Sequence, residues 1–304
     1  MNYEVLYNTI QAYAENTEAL FVANIPVFVQ QAEDRIYNSV QLSSLRKNVI
    51  GNTSTGNSYL SLPNDYLSTF SIAVIDVNGN YNYLLNKDVN YIREAYPNPN
   101  ATGLPKYYAL FGPQYSNVNE LSCIIGPTPD QNYLLELHYF YYPPTIVQGQ
   151  ITTLLITNAG TGYTNGVYIN VPFTGGTGAN ASGDIVVVGG VITSVTLKFG
   201  GNFYVVNNQL SCSSLGGTGT NFIMTVTGVS NADGTSWLGD NYDPVLFYGA
   251  MREAMLFMKG EQDLVGYYEQ KYQEALQQLT RLGTGLERGD AYRDGQARLG
   301  QVKP

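Results

Sequence analysis

Apolar and polar positions follow two different periods along this chain. At both ends the period is helical. From Asp243, Leu246, Phe247, Ala250, Ala254 and Phe257 recur on one stripe. Asp243 is suited to an N-cap, and Pro244 falls at the first helical position, where a missing N–H costs nothing. Gly260 punctuates. A second helix is expected over 261–282, with Leu264, Tyr268, Tyr272, Ala275 and Leu279 on its apolar face. The block Asp243–Arg281 therefore reads as an αα-hairpin whose stripes need partners. The N-terminus offers them: residues 3–16 carry Leu6, Ile10 and Tyr13 on one face, and residues 25–42 carry Ile25, Phe28, Val29, Ala32 and Ile36. In the latter helix Asn24 is the expected cap and Pro26 sits in the first turn, with Glu33, Asp34 and Arg35 on the opposite, solvated side.

Between the ends the period shortens to two. Tyr59–Pro63, Phe70–Val77, Tyr81–Leu85, Tyr107–Phe111, Leu121–Ile125 and Tyr133–Tyr142 are short apolar runs separated by turn residues. Asn78-Gly79 between two of them is a hairpin signal. In the last run Leu135, Leu137, Tyr139 and Tyr141 alternate with Glu136, His138, Phe140 and Tyr142, as in a half-buried strand. A five- or six-stranded antiparallel unit is expected.

Composition then breaks sharply. Between Gln148 and Ser230 only Asp184 and Lys198 are charged, and the same stretch holds 16 of the 32 glycines. It also repeats itself at an offset of 41 positions. Ile151-Thr152-Thr153 meets Ile192-Thr193-Ser194, Gly160 meets Gly201, Tyr163 meets Tyr204, and Gly175-Gly176-Thr177-Gly178 meets Gly216-Gly217-Thr218-Gly219. Each copy reads as strand, Gly turn, strand, Gly-Gly turn, strand, so a separate two-repeat β module is expected. The fold class is α+β: a helical bundle from N- and C-terminal helices, an antiparallel β-domain between them, and an inserted all-β two-repeat module. The divisions fall at 1–50 (N-terminal helices), 51–147 (β-domain), 148–230 (module), 231–282 (helical hairpin, with helical character resuming after Trp237) and 283–304 (extended tail).

Charge and chemistry narrow the function by exclusion. The net charge of −9 supplies no broad cationic face, which argues against a general nucleic-acid binder. DNA passing nearby is compatible with it, because an acidic wall lets a polyanion slide. Arg281, Arg288, Arg293, Arg298 and Lys303 give the end of the chain a mildly basic character among five glycines from Gly283 on. Such a segment makes no core of its own and suits ordering by a partner. Cys123 and Cys212 are expected as free thiols. The start MNYEVLYNTI lacks a basic, then apolar, leader pattern, and no run reaches the ~18 apolar residues of a membrane span. His138 is the one histidine and has no second ligand or nucleophile in any motif, so it is read as a core or strand-face residue. Neither Gly-Gly-Thr-Gly turn is followed by Lys-Ser/Thr, which excludes a Walker-type phosphate loop. Glu33-Asp34 and Glu261/Asp263 are read as solvated or helix-start acids. No catalytic residue, metal ligand or cofactor is assigned, and an enzyme such as a cell-wall hydrolase is the least favoured class.

With residues 148–228 set aside, the remainder resembles a tailed-phage head-to-tail adaptor. The resemblance rests on the order of Phe28-Val29-Gln30-Gln31-Ala32-Glu33-Asp34-Arg35-Ile36, Leu62-Pro63-Asn64-Asp65-Tyr66-Leu67, Gly103-Leu104-Pro105-Lys106-Tyr107-Tyr108-Ala109, Leu137-His138-Tyr139-Phe140-Tyr141-Tyr142-Pro143-Pro144, Ser236-Trp237-Leu238 and Asp243-Pro244-Val245-Leu246-Phe247-Tyr248-Gly249-Ala250. It implies a four-helix bundle carrying a β-domain, a dodecameric ring, and a C-terminal extension (Arg281, Arg288, Arg293, Arg298, Lys303) that docks on the portal. It further implies contact with tail, nozzle or tail-terminator proteins, and genomic DNA passing through the channel without specific recognition. The resemblance also implies a location in the virion neck, after assembly in host cytoplasm, with no membrane involved. The 148–230 module departs from the minimal adaptor. A ring subunit buries surface against two neighbours, a use that fits 26 tyrosines and few charges. The competing reading is a tail-associated receptor- or carbohydrate-binding protein with the module as its reading head.

Overall fold

The computed structural model describes residues 1–112, 121–213 and 215–297, those from 284 on as backbone alone. In chain order the elements are α1 (Tyr3–Ala14), α2 (Ala19–Ser39), β1 (Arg46–Asn52), β2 (Tyr59–Ser61), β3 (Tyr66–Ile75), β4 (Tyr81–Tyr83) and β5 (Leu85–Asn86). Then come α3 (Val89–Ala95), β6 (Tyr107–Phe111), β7 (Ser122–Gly126), β8 (Leu134–Tyr141), β9 (Gln150–Tyr163), β10 (Gly166–Pro172) and β11 (Ala179–Val188). The chain continues with β12 (Val191–Asn202), β13 (Gln209–Leu210), β14 (Gly217–Ser230), α4 (Trp237–Asn241), α5 (Asp243–Phe257) and α6 (Gln262–Ala297). Two compact units result. One is Met1–Val40 with Pro144–Gly285, and the other is Gln41–Pro143 with the chain from Leu286.

In the first unit α2 packs along α5, α1 touches both, and α4 leads into α5. The helical stripes of the sequence are buried in large part: Leu6 and Ile10; Ile25, Phe28, Val29, Ala32 and Ile36; Leu246, Ala250 and Ala254; Tyr268, Tyr272, Ala275 and Leu279. Three chosen positions are exposed instead, Tyr13, Phe257 and Leu264, each near a helix end. The Phe257 ring still lies 5.2 Å from that of Phe28, and the Tyr13 ring 5.1 Å from that of Phe247. Where α2, α5 and α6 meet, Gly249 leaves no room: a Cβ there would stand 3.0 Å from the Ala32 Cβ and 3.2 Å from the Tyr272 ring.

Helix ends depart from expectation for identifiable reasons. α2 begins at Ala19, well before Asn24, because buried Phe21, four residues before Ile25, carries the apolar stripe back another turn. Asn24 is therefore not a cap; its side chain donates to the Leu20 carbonyl at 2.7 Å. Pro26 stands inside the helix with its ring buried. α5 is preceded directly by α4, so Tyr242 takes the N-cap position and Asp243 falls in the first turn. There its carboxylate lies 3.6 Å from the Met1 ammonium. α6 runs to Ala297 rather than stopping at Leu282. The stretch read as an extended tail from 283 is thus helical to Ala297. No proline interrupts it, and its Leu, Glu, Arg, Gln and Ala residues favour a helix against a cost of about 1 kcal/mol per glycine.

The glycine-rich stretch forms two three-stranded sheets, β10-β11-β12 and β13-β14-β9, over one core that includes Ile151, Tyr163, Ile185, Tyr204, Phe222 and Met224. The repeat is visible bond by bond. Ala181 pairs with Gly200 between β11 and β12, and Phe222 with Ala159 between β14 and β9. The Tyr163 amide donates to Gly190 O at 3.1 Å, and the Tyr204 amide to Gly149 O at 3.0 Å. Each copy lends its first strand to the other's sheet: β9 of the first joins β13 and β14 of the second, and β12 of the second joins β10 and β11 of the first. Neither copy completes a sheet alone. The ends of the stretch meet, since Gln150 pairs with Ser230.

Among the described residues the second unit has eight strands where five or six were expected, in sheets β1-β8-β3-β4 and β2-β7-β6-β5. Ile72, Val74, Leu135, Leu137 and Tyr139 from one and Tyr108, Cys123 and Ile125 from the other share a core. The β3–β4 turn carries the Asn78-Gly79 signal. Asp76 Oδ1 accepts from the amides of Asn78 and Asn80, and Gly79 adopts φ 83°. One pair, β5–β6, is parallel, and α3 lies in the crossover that such pairing requires. β1 falls within residues expected to be helical. It is exposed on both faces after Arg46, so its sequence carries no inside–outside alternation.

Candidate functional site

Of the side chains named as a docking segment, only that of Arg281 falls among the described residues. Arg281 is exposed on α6. Arg288 and Arg293 lie on the part of α6 described as backbone alone, and Arg298 and Lys303 lie outside the described residues. Among the described residues, no group of three or more His, Cys, Asp or Glu is placed to hold a metal ion, and no helix is long and apolar enough to cross a membrane.

His138 sits on the solvent side of β8, its Nε2 3.3 Å from Glu136 Oε1. Glu136 in turn accepts from Asn48 Nδ2 at 2.5 Å across the β1–β8 ladder. This is a strand-face histidine with a carboxylate neighbour and no nucleophile. The two cysteines are free and buried. Burial pushes the Cys123 thiol up to about 12 and that of Cys212 to about 11, so neither is poised as a thiolate.

Two acid-base features were missed in the sequence. Glu33 is buried, not solvated: it stands four residues after Val29 and three before Ile36, on the buried stripe itself. Its carboxylate accepts from Thr145 Oγ1 at 2.6 Å and from the Ile146 amide at 2.8 Å. Burial lifts its pKa to about 7, with those two hydrogen bonds pulling the other way. Arg35 is half-buried rather than solvated. It reaches Glu253 at 3.3 Å and Glu269 at 3.2 Å, while Arg252 contacts the same two acids at 2.6 and 3.0 Å. The Arg35 guanidinium also stacks 4.6 Å from the centre of the Tyr272 ring. Burial raises the Glu269 pKa, but the hydrogen bonds from Gln273 and Arg35 outweigh it and hold the carboxyl below its ordinary range. This network ties α2, α5 and α6 together. Spacing could have flagged Glu33, whereas only the fold assembles the Arg35 network.

Two hollows of the surface carry no charge, whereas one beside α3 includes Arg93 and one between α2 and α6 includes Asp34 and Arg35. Of the uncharged two, one of about 540 Å³ lies between β1 and β2 over Leu62, Ile72, Cys123 and Leu137. Another of about 500 Å³ lies between α2 and β10–β12, over Leu20, Gln30, Ser182 and Phe199. Neither lining includes an acid, a base or a histidine. Large apolar side chains are nevertheless exposed at helix ends (Tyr13, Leu20, Leu256, Tyr267) and on β10 (Val167, Ile169). Such surfaces are suited to burial against other chains rather than to bond-making chemistry.

Exposed apolar and aromatic side chains at helix ends and on β10 suit a protein that works through contacts with other chains. The model of the SU10 adaptor protein family matches residues 1–168. That is more than half of the 304 residues, and the chain belongs to this family, a phage structural adaptor and virion component. The match spans α1 to the start of β10, so it takes in α1, α2 and the β unit with α3, and ends within the glycine-rich stretch. The resembling segments Ser236–Leu238 and Asp243–Ala250 fall outside it. No curated protein matches the chain.

Proposed function

We propose that this protein is a head-to-tail adaptor, a dodecameric ring that docks beneath the portal and joins the capsid to the tail while genomic DNA passes through its channel. The observation that carries this reading is the family match over residues 1–168. The apolar and aromatic side chains exposed on the surface support it, because a closed ring needs two complementary contact faces on every subunit. The overall charge of −9 suits a passage that does not retain DNA. On this reading Arg281, Arg288, Arg293, Arg298 and Lys303, at and beyond the end of a long helix, contact the portal, and the opposite face meets tail, nozzle or tail-terminator proteins. No catalytic step is assigned. The glycine-rich module is an insertion in the adaptor, carried between Gly149 and Ser230.

Removal of residues 283–304 tests the docking assignment. The truncated protein is expected to keep its fold, judged by circular dichroism and melting temperature, and to lose co-sedimentation with portal rings. Undiminished co-sedimentation would place the portal contact elsewhere on the chain.

A further inference from the structure

The two copies of the glycine-rich repeat share several left-handed backbone positions, and one of these where the residue types differ is informative. At the 41-residue offset, Gly160 and Gly201 have φ 65° and 63°, Asn180 and Asn221 both have φ 65°, and Gly149 and Gly190 have φ 63° and 78°. Gly160 and Gly201 are both buried, as are Tyr163 and Tyr204. Between those matched pairs lie Thr161-Gly162 in the first copy and Asn202-Phe203 in the second. The backbone is again shared: Gly162 has φ 82° and Phe203 φ 61°. Burial is not. Thr161 and Gly162 are exposed, whereas Asn202 is buried and Phe203 half-buried.

A left-handed φ suits glycine and is rare for a bulky aromatic residue. Such an outlier persists only where surrounding structure holds it. The Phe203 amide donates to Gln148 O at 2.8 Å, and its ring is held by α1. Its ring centre lies 5.3 Å from that of Tyr3 and 5.4 Å from that of Tyr7, the latter edge-on. Asn202 Nδ2 donates to the Tyr3 hydroxyl at 3.2 Å in a buried position. Tyr3 has no exposed surface, and its own amide donates to Gly234 O just beyond the end of β14.

We propose that Asn202 and Phe203 are a mount. In one copy of the repeat, two residues have diverged from the turn sequence so as to fix the whole module to α1, while the matching pole of the other copy, Thr161-Gly162, stays free. The module is thus held at an oriented attachment through α1, beside its contact with α2, where Gln30 Nε2 donates to Gln150 Oε1 at 3.1 Å.

The mount is tested by giving the second copy the residues of the first, Asn202→Thr with Phe203→Gly, in the full chain. The backbone there already suits glycine, so the module strands keep their fold. Amide hydrogen exchange is the readout. The amides of Tyr3, Gly149 and Tyr204, with the first turn of α1, are expected to exchange at least about tenfold faster, with the interior amides of β11, β12 and β14 unchanged. Tyr7→Ala, which leaves the module's sequence intact, is expected to loosen the same amides. Gly162→Phe in the first copy is expected to leave them untouched. Unchanged exchange at α1 and the junction in the double variant would overturn the proposal. So would faster exchange within the module strands, which would make Phe203 a part of the module's own core.

Discussion

Glu33 shows how a single residue can be misplaced by composition and recovered by spacing. A Glu-Asp-Arg run on a helix reads as solvated, yet only Asp34 of the three is exposed. Buried Glu33 joins α2 to the chain returning at Thr145 and Ile146, and desolvation raises its pKa from 4.5 to about 7. A carboxyl whose folded pKa exceeds its unfolded one contributes most below the unfolded value and loses that contribution as pH rises through the folded one. Stability should therefore fall between about pH 4.5 and 7. Glu33→Gln keeps an acceptor for the Ile146 amide and removes the charge, so its stability should be flatter across that window. Urea unfolding of both proteins at several pH values checks this, and parallel curves would show that folding does not raise the Glu33 pKa.

At the scale of elements, long periodic stripes and repeated turns were legible, because one physical pattern determines many positions at once. The four main helices, the Asn78-Gly79 hairpin and the repeat at the 41-residue offset belong here. β1 was not legible, since an edge strand exposed on both faces has no alternation to read. α3 was too short to show a stripe. The division of the β unit into two sheets depends on which strands pair, and that is settled by contacts distant in sequence. Nor does the offset reveal that each copy lends its first strand to the other's sheet. The exchange rests on two glycines without left-handed backbone: a Cβ on Gly219 would stand 2.0 Å from the Tyr163 ring, and one on Gly178 2.5 Å from the Tyr204 ring. Gly178→Ala and Gly219→Ala should each destabilise the module by about 1–3 kcal/mol through overpacking. Calorimetry on the full chain checks this, and a cost at only one of the two would break the equivalence of the copies.

For the whole molecule, the sequence pointed to the adaptor class through an ordered series of segments, and the family match spans those in residues 1–168. The candidate contact residues were less legible. Basic residues near a chain end identify a segment, while the surface they meet belongs to another protein. The mount at Phe203 was invisible for a different reason, because its role appears only when its backbone is compared with that of Gly162. Assembly is what an adaptor is for, and one measurement addresses it directly. Electron microscopy of the purified protein mixed with its portal should show a closed ring of this chain stacked coaxially on the portal ring. A monomer that leaves portal rings bare at high concentration would contradict the assignment.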